Sequence, residues 1–141
     1  MIRFVIVTGM SGAGRGSALR ILEDMGYFCI DNLPVLLIPK LTKVFMAERK
    51  TIDRVALGID IRNQEGLSAL DDILEAMKEA GYHYEILFLD ADSNVLIKRY
   101  KETRRNHPLA LQGRVDKAIE AERKELAPIR KKADYILDTS H

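Results

Sequence analysis

Nine residues near the N-terminus hold most of the chemistry in this chain: Gly9-Met10-Ser11-Gly12-Ala13-Gly14-Arg15-Gly16-Ser17. They follow an apolar run, Phe4-Val5-Ile6-Val7, and open a stretch with helical periodicity. That is the setting and spacing of a phosphate-binding P-loop, G-x-x-x-x-G-K-[ST]. Glycines let backbone N–H groups converge on a phosphate, and the following helix adds the positive end of its dipole. Gly9 and Gly14 occupy the glycine positions of the motif. The lysine that reaches the β- and γ-phosphates is replaced by Arg15, and the hydroxyl residue that holds Mg²⁺ by Gly16. Arg15 keeps the charge on a larger, planar fork. Ser17 lies about 100° further around the helix and does not simply stand in for the missing hydroxyl. The expectation is a backbone cradle for phosphate with weakly held Mg²⁺, no side chain ligating the metal directly, and poor hydrolysis.

Acidic and basic residues elsewhere bear on the same chemistry. Asp60 ends an apolar segment, and ligands of open parallel sheets bind at strand C-termini. It either assists Mg²⁺ through water or caps a turn. Asp31, before Asn32 and Pro34, either faces a phosphoryl acceptor or belongs to an Asx turn. Arg15, Asp31 and Asp60 are therefore the candidate catalytic residues. Asp90 and Asp92 either line the cleft or cap the next helix. Arg99, Arg104, Arg105 and Arg114 flank the segment 106–113; they form either a lid over phosphates or a basic surface. His83 and His107 are isolated and lack metal-ligand spacing.

These residues require a scaffold that gathers strand ends. The sequence reads as strand Ile2–Thr8, helix Arg15–Met25 stopped by Gly26, strand Tyr27–Asp31, and helix Val35–Glu48, with Pro39 a candidate break. Strand Arg54–Ile61 follows, then a helix from Leu67 to Met77 ended by Gly81. Strand Glu85–Asp90 precedes a helix capped by Ser93. Last come helix Val115–Lys132, bent or interrupted at Pro128, and strand Asp134–Asp138. Alternation of this kind, with the P-loop placed after the first strand, predicts an α/β domain: a five-stranded parallel sheet, order 2-3-1-4-5 with the first strand central, helices on both faces and a nucleotide-kinase-like P-loop NTPase architecture.

At 141 residues the chain is long enough for one domain with a substantial core. The net charge of +1 names no partner. Its distribution is uneven: Lys98–Lys132 holds 12 Lys/Arg against 5 Asp/Glu, which suits a polyanion or a solvated helix face equally. Tyr100 is the sole aromatic there, so a stacking platform for RNA bases is missing. The single cysteine, Cys29, excludes an internal disulfide and reads as core. No apolar run reaches the roughly 18 residues of a membrane helix, so no membrane partner and a cytoplasmic location are expected. The last strand has no closing helix, which reads as either a trimmed chain or the natural half of something longer.

The string Glu23-Asp24-Met25-Gly26-Tyr27-Phe28-Cys29-Ile30-Asp31-Asn32-Leu33-Pro34, after the loop and Ala18-Leu19, resembles the RNase adapter family (RapZ/YvcJ-like nucleotide-binding proteins). Asp60-Ile61-Arg62-Asn63, Leu87–Asp92, Lys98-Arg99-Tyr100, Thr103-Arg104-Arg105, His107-Pro108-Leu109 and Asp138-Thr139-Ser140 extend the resemblance over the chain. It covers the N-terminal half of a family protein. The resemblance implies ATP and GTP binding, with slow hydrolysis in some members, and places the family's proposed guanine-nucleotide motif, Asp-x-x-Asn, at Asp60, Ile61, Arg62 and Asn63. It also implies RNA or RNA-processing partners, engaged mainly through the other half, where the family recognises RNA and aminosugar phosphates. Homo-oligomers are compatible with it. Arg15 and Gly16 depart from the family loop. Three functions follow: a regulatory nucleotide-binding domain, a competent small NTPase or phosphotransferase using Arg15, or an interaction domain that no longer takes nucleotide.

Overall fold

The computed structural model describes residues 2–47, 51–61, 64–103 and 114–141. Five strands, β1 (Arg3–Gly9), β2 (Phe28–Ile30), β3 (Arg54–Gly58), β4 (His83–Asp90) and β5 (Tyr135–Asp138), form one sheet in the order β2-β3-β1-β4-β5. All pairings are parallel, with Val5 opposite Ala56 and Glu85, and Phe88 opposite Ile136. The helices are α1 (Arg15–Asp24), α2 (Ile38–Ala47), α3 (Gln64–Glu79), α4 (Ser93–Thr103) and α5 (Val115–Lys132).

Crossovers between parallel strands are right-handed. The step from β1 to β2 runs one way across the sheet; the steps β2 to β3, β3 to β4 and β4 to β5 run the other way. Helix α1 therefore takes one face, while α2, α3, α4 and α5 take the opposite one. The contacts agree: α1 lies on β1, β2 and β3, whereas α3 and α5 both touch β4 and each other. The main core lies under the crowded face, where Phe4, Ile6 and Phe88 of the sheet are fully buried with Leu70, Ile119, Leu126 and Ile129 of the helices.

Local chemistry sets the ends. At Gly26 (φ 95°) and Gly81 (φ 82°) the chain leaves α1 and α3 through left-handed turns. In each, a later N–H returns to the last turn: Tyr27 to the Leu22 carbonyl and Tyr82 to that of Met77. Pro39 does not break a helix. Val35–Leu37 forms a 3-10 turn and α2 begins at Ile38, so Pro39 falls in the first turn, where its missing N–H costs nothing. Nor does Pro128 interrupt α5, which runs unbroken to Lys132. Pro128 and Lys124, whose carbonyl loses its partner, both face solvent, while Leu126 and Ile129 anchor the helix to the core. The third strand stops at Gly58 rather than Ile61, although Ile59 still donates to the Val7 carbonyl (2.9 Å).

Phe88 is 1% exposed at the centre of this packing. Phe88→Ala is expected to lower the unfolding free energy by about 3–5 kcal/mol, read as a shifted urea midpoint.

Candidate phosphate-binding site

The loop between β1 and α1 sits at the C-terminal edge of the sheet. The chain leaving β1 turns toward one face, while the chains leaving β3 and β4 turn toward the other, which opens a crevice at the β1 end. Gly9 begins the loop because nothing larger fits: a Cβ there would stand 2.2 Å from the Leu89 carbonyl oxygen of β4. Met10 N–H then donates to that same carbonyl (3.0 Å). Gly12 (φ 83°) and Gly14 (φ 100°) take left-handed conformations that reverse the chain into α1.

The back of the loop is fastened by residues from the far end of the sequence. The Glu122 carboxylate of α5, only 5% exposed, accepts from Ser11 N–H (3.0 Å) and Ser11 Oγ (2.7 Å). Arg99 of α4 donates through Nη1 to the Gly12 carbonyl (3.1 Å) and through Nη2 to the Thr139 carbonyl. Thr139 Oγ donates to the Ala13 carbonyl (2.7 Å), and its N–H to the Asp90 carbonyl (2.8 Å). The carbonyls of Gly12 and Ala13 are thus both engaged from behind.

The front of the loop differs. Ala13 N–H is spent on the Met10 carbonyl (3.0 Å). Among the described residues no side chain caps α1, and its first turn holds no acidic residue. The N–H groups of Arg15, Gly16 and Ser17 have no intrahelical acceptor by helix geometry. They point out of the helix N-terminus together with its dipole, an arrangement that takes an anion. Negative carbonyl ends turned away and N–H groups turned outward meet the requirements of a phosphate cradle. Gly16 offers no hydroxyl, and among the described residues no cluster of three or more His, Cys, Asp or Glu has the geometry to hold an ion.

Asp31 faces this loop. Its Oδ1 accepts from Arg15 Nε (2.9 Å) and Asn32 N–H (2.7 Å). Asp31 can approach because Gly58 lies beneath it: a Cβ on Gly58 would come within 2.5 Å of Asp31 Oδ1. With side chains 28% and 47% exposed, the Arg15–Asp31 pair stabilises the fold by only about 0–1 kcal/mol. A polyphosphate can compete for Arg15 at that cost.

The remaining sequence candidates divide. Asp60 and the buried Ile61 follow the end of β3 at the same sheet edge. Arg62 and Asn63, and the lid candidates Arg104 and Arg105 with His107, lie outside the described residues. Arg99 is a strut behind the loop rather than a cover in front of it. Arg114 pairs with Asp116 (3.2 Å) at the surface, and this contact holds the Asp116 carboxyl below its ordinary range. Asp90 is neither cap nor cleft acid: its carboxylate receives Arg123 Nη1 (2.8 Å) and Arg130 Nε (3.2 Å), tying α5 to β4. Ser93 opens α4, but its hydroxyl accepts from Arg123 Nε (2.9 Å). Cys29 is half-buried, its thiol donating to the Leu19 carbonyl (3.3 Å), and desolvation pushes its pKa up. Sequence reasoning missed Glu122 altogether, and counted Thr139 only within a resemblance.

A family model described as RapZ-like N-terminal domain matches residues 2–141. A nucleotide-binding protein of Lachnoclostridium phytofermentans is 58% identical over 139 residues, which is 99% of this chain and 49% of that protein. One from Clostridium acetobutylicum is 56% identical over 139 residues, covering 99% and 47%. The chain spans about half the length of the curated relatives it matches. Among solved structures, shikimate kinase from Acinetobacter baumannii in complex with shikimate matches at TM-score 0.66 and 15% identity, covering 100% of this chain and 86% of that one. A gluconokinase from Sinorhizobium meliloti matches at TM-score 0.53 and 17% identity, covering 97% and 82%. At these identities the two kinases establish the P-loop fold alone.

The fastening behind the loop gives a specific expectation. Thr139→Val removes the hydroxyl that holds the Ala13 carbonyl while keeping the side-chain volume. Stability should fall by about 0.5–1.5 kcal/mol in urea unfolding. Inorganic pyrophosphate, titrated by calorimetry, should bind several-fold more weakly; unchanged affinity would mean the loop holds its shape without this contact.

Proposed function

Because the chain belongs to the RapZ-like N-terminal domain family, we propose that it is a nucleotide-binding regulatory domain that takes the phosphates of ATP or GTP on residues 9–17 and hydrolyses them poorly. The observation that supports this reading is the asymmetry of the loop, with the carbonyls of Gly12 and Ala13 held from behind and an uncapped helix N-terminus in front. Nucleotide phosphates would lie against the N–H groups of Arg15, Gly16 and Ser17, and Arg15 would exchange Asp31 for phosphate oxygen.

Phosphoryl transfer depends on a bridging Mg²⁺ and a well-placed cation to neutralise developing charge. Mg²⁺ supplies that neutralisation when bound. In this chain Gly16 contributes no oxygen to it, and Asp60 would assist only through water. Losing one such interaction commonly costs about 2–4 kcal/mol, or roughly 30- to 1,000-fold in rate. Binding survives better, since backbone donors are untouched by both substitutions.

The reading extends to the cell by family: a cytoplasmic protein whose RNA or RNA-processing partners are engaged mainly by the half that follows in the longer relatives. A phosphotransferase is less well supported for the same reason as rapid hydrolysis: the loop carries Arg15 and Gly16 where that chemistry uses a lysine and a metal-holding hydroxyl. The guanine-contact role of Asp60 to Asn63 stays part of the proposal; competition between ATP and GTP tests it.

Titration with fluorescent ATP and GTP, with and without Mg²⁺, is the direct test. Binding is expected with little gain from Mg²⁺, and turnover near background. Arg15→Lys with Gly16→Ser should raise turnover at least about 30-fold and make it steeply Mg²⁺-dependent. Equal turnover in the natural and doubly substituted proteins would show the two substitutions to be silent. Absence of nucleotide binding by the natural chain would favour an interaction domain.

A further inference from the structure

The two partners of the Arg15–Asp31 contact are held unequally. Asp31 is fixed by its surroundings. Its Oδ1 accepts from Asn32 N–H (2.7 Å), and a Cβ on Gly58 would stand 3.2 Å from its Cα. Two residues on, Leu33 N–H donates to the Gly58 carbonyl (2.9 Å). Asn32, between them, is left-handed (φ 55°), which is uncommon for a residue with a side chain. The bond from Asn32 N–H to the carboxylate supports that bend, so the carboxylate cannot swing away without losing it. Arg15 has no such anchoring. Its Nε donates to Asp31 Oδ1 (2.9 Å), and among the described residues its Nη groups have no partner.

Position 15 is where a P-loop carries the lysine that reaches the β- and γ-phosphates. Its side chain therefore follows the path of the terminal phosphates, and in this chain that path ends at a fixed carboxylate. A nucleotide seated on the N–H groups of Arg15, Gly16 and Ser17 meets one of two situations. With a diphosphate, the last group is the β-phosphate, which can take the Nη groups while Nε keeps Asp31. With a triphosphate, the γ-phosphate must take Arg15 from Asp31 and then lie beside the anion left behind. Like charges at that range repel. Gly16 brings no metal-holding hydroxyl to offset the repulsion.

We propose that Asp31 stands in for a terminal phosphate and makes this site select nucleoside diphosphates over triphosphates. The inference rests on the reading of residues 9–17 as a nucleotide-phosphate cradle, and it names the nucleotide state that cradle takes. Arg15 closes the site on the diphosphate, and Asp31 excludes the third phosphoryl group. The preference runs against net charge. A triphosphate carries more negative charge and would otherwise gain more from the helix dipole and from Arg15. Selection is then separate from turnover: the occupied state of the domain follows diphosphate released by other NTP-consuming reactions, rather than hydrolysis on its own loop.

The test is calorimetric titration of this chain with ADP, ATP, GDP and GTP in EDTA. Each diphosphate should bind at least about fivefold more tightly than its triphosphate, a difference of about 1 kcal/mol. Asp31→Asn keeps the side-chain volume and an oxygen for Asn32 N–H but removes the charge. It should bring each pair to within about twofold, by strengthening triphosphate binding. Asp72→Asn, at an exposed acid of α3, should leave the ratio as it is in the natural chain. Unchanged circular dichroism spectra and urea midpoints would show the variants folded. The ratio is taken within one protein, so a general loss of folded material does not move it. Equal affinities in the natural chain, or a diphosphate preference that Asp31→Asn leaves in place, overturns the inference while nucleotide binding itself stands. Absence of binding by all four nucleotides in both the natural and the Asp31→Asn proteins overturns the cradle reading and the inference with it.

Discussion

The carboxylate of Glu122 on Ser11, with Arg99 and Thr139 on the Gly12 and Ala13 carbonyls, is the constraint from which the site follows. A glycine-rich turn is conformationally permissive, and permissiveness alone does not create a cradle. The turn must be held so that its carbonyl ends are occupied elsewhere. Here α4, α5 and the residue after β5 do this from behind. Those elements are themselves drawn together by Asp90, which receives Arg123 and Arg130 and so joins β4 to α5. The glycines permit the loop shape, and the charged network behind them selects it.

Much of the scaffold was legible in the residues. Phe4–Val7 ahead of a glycine cluster placed β1 and the loop, and that placement, with the alternation of apolar strands and helical periods, pointed to the order β2-β3-β1-β4-β5. Local signals failed where tertiary packing decides. Pro128 read as a bend or an interruption; the helix is not interrupted, because Pro128 is exposed while Leu126 and Ile129 are buried. Asp90 and Ser93 looked like caps, but Arg123 from a distant helix claims both side chains.

The candidate site was legible in the part that is contiguous. Residues 10–14 form the turn between β1 and α1 where the glycine spacing put it, and Arg15, Gly16 and Ser17 open α1. Asp31 and Asp60 fall at the strand ends that border it. The fastening residues were not legible, because no local pattern links Ser11 to Glu122 or Ala13 to Thr139. A glutamate on a charged amphipathic helix looks like any solvated glutamate until the fold buries it. Arg99 carried a signal, its charge near the loop segment, but sequence could not distinguish the front of a phosphate site from its back. Only the direction of its hydrogen bonds makes that distinction.

That the first loop is held by the last residues has a consequence for how the protein is made. The loop emerges from the ribosome early, while Glu122 and Thr139 emerge late. β1 lies in the middle of the sheet and must await both β3 and β4. Contacts of such long sequence separation carry a loop-closure cost that delays their formation. A nascent chain lacking β5 therefore holds the glycine sequence without its supports. The shape proposed to take an anion would then form only once α5 and β5 dock, which ties the site to the tertiary fold rather than to local structure.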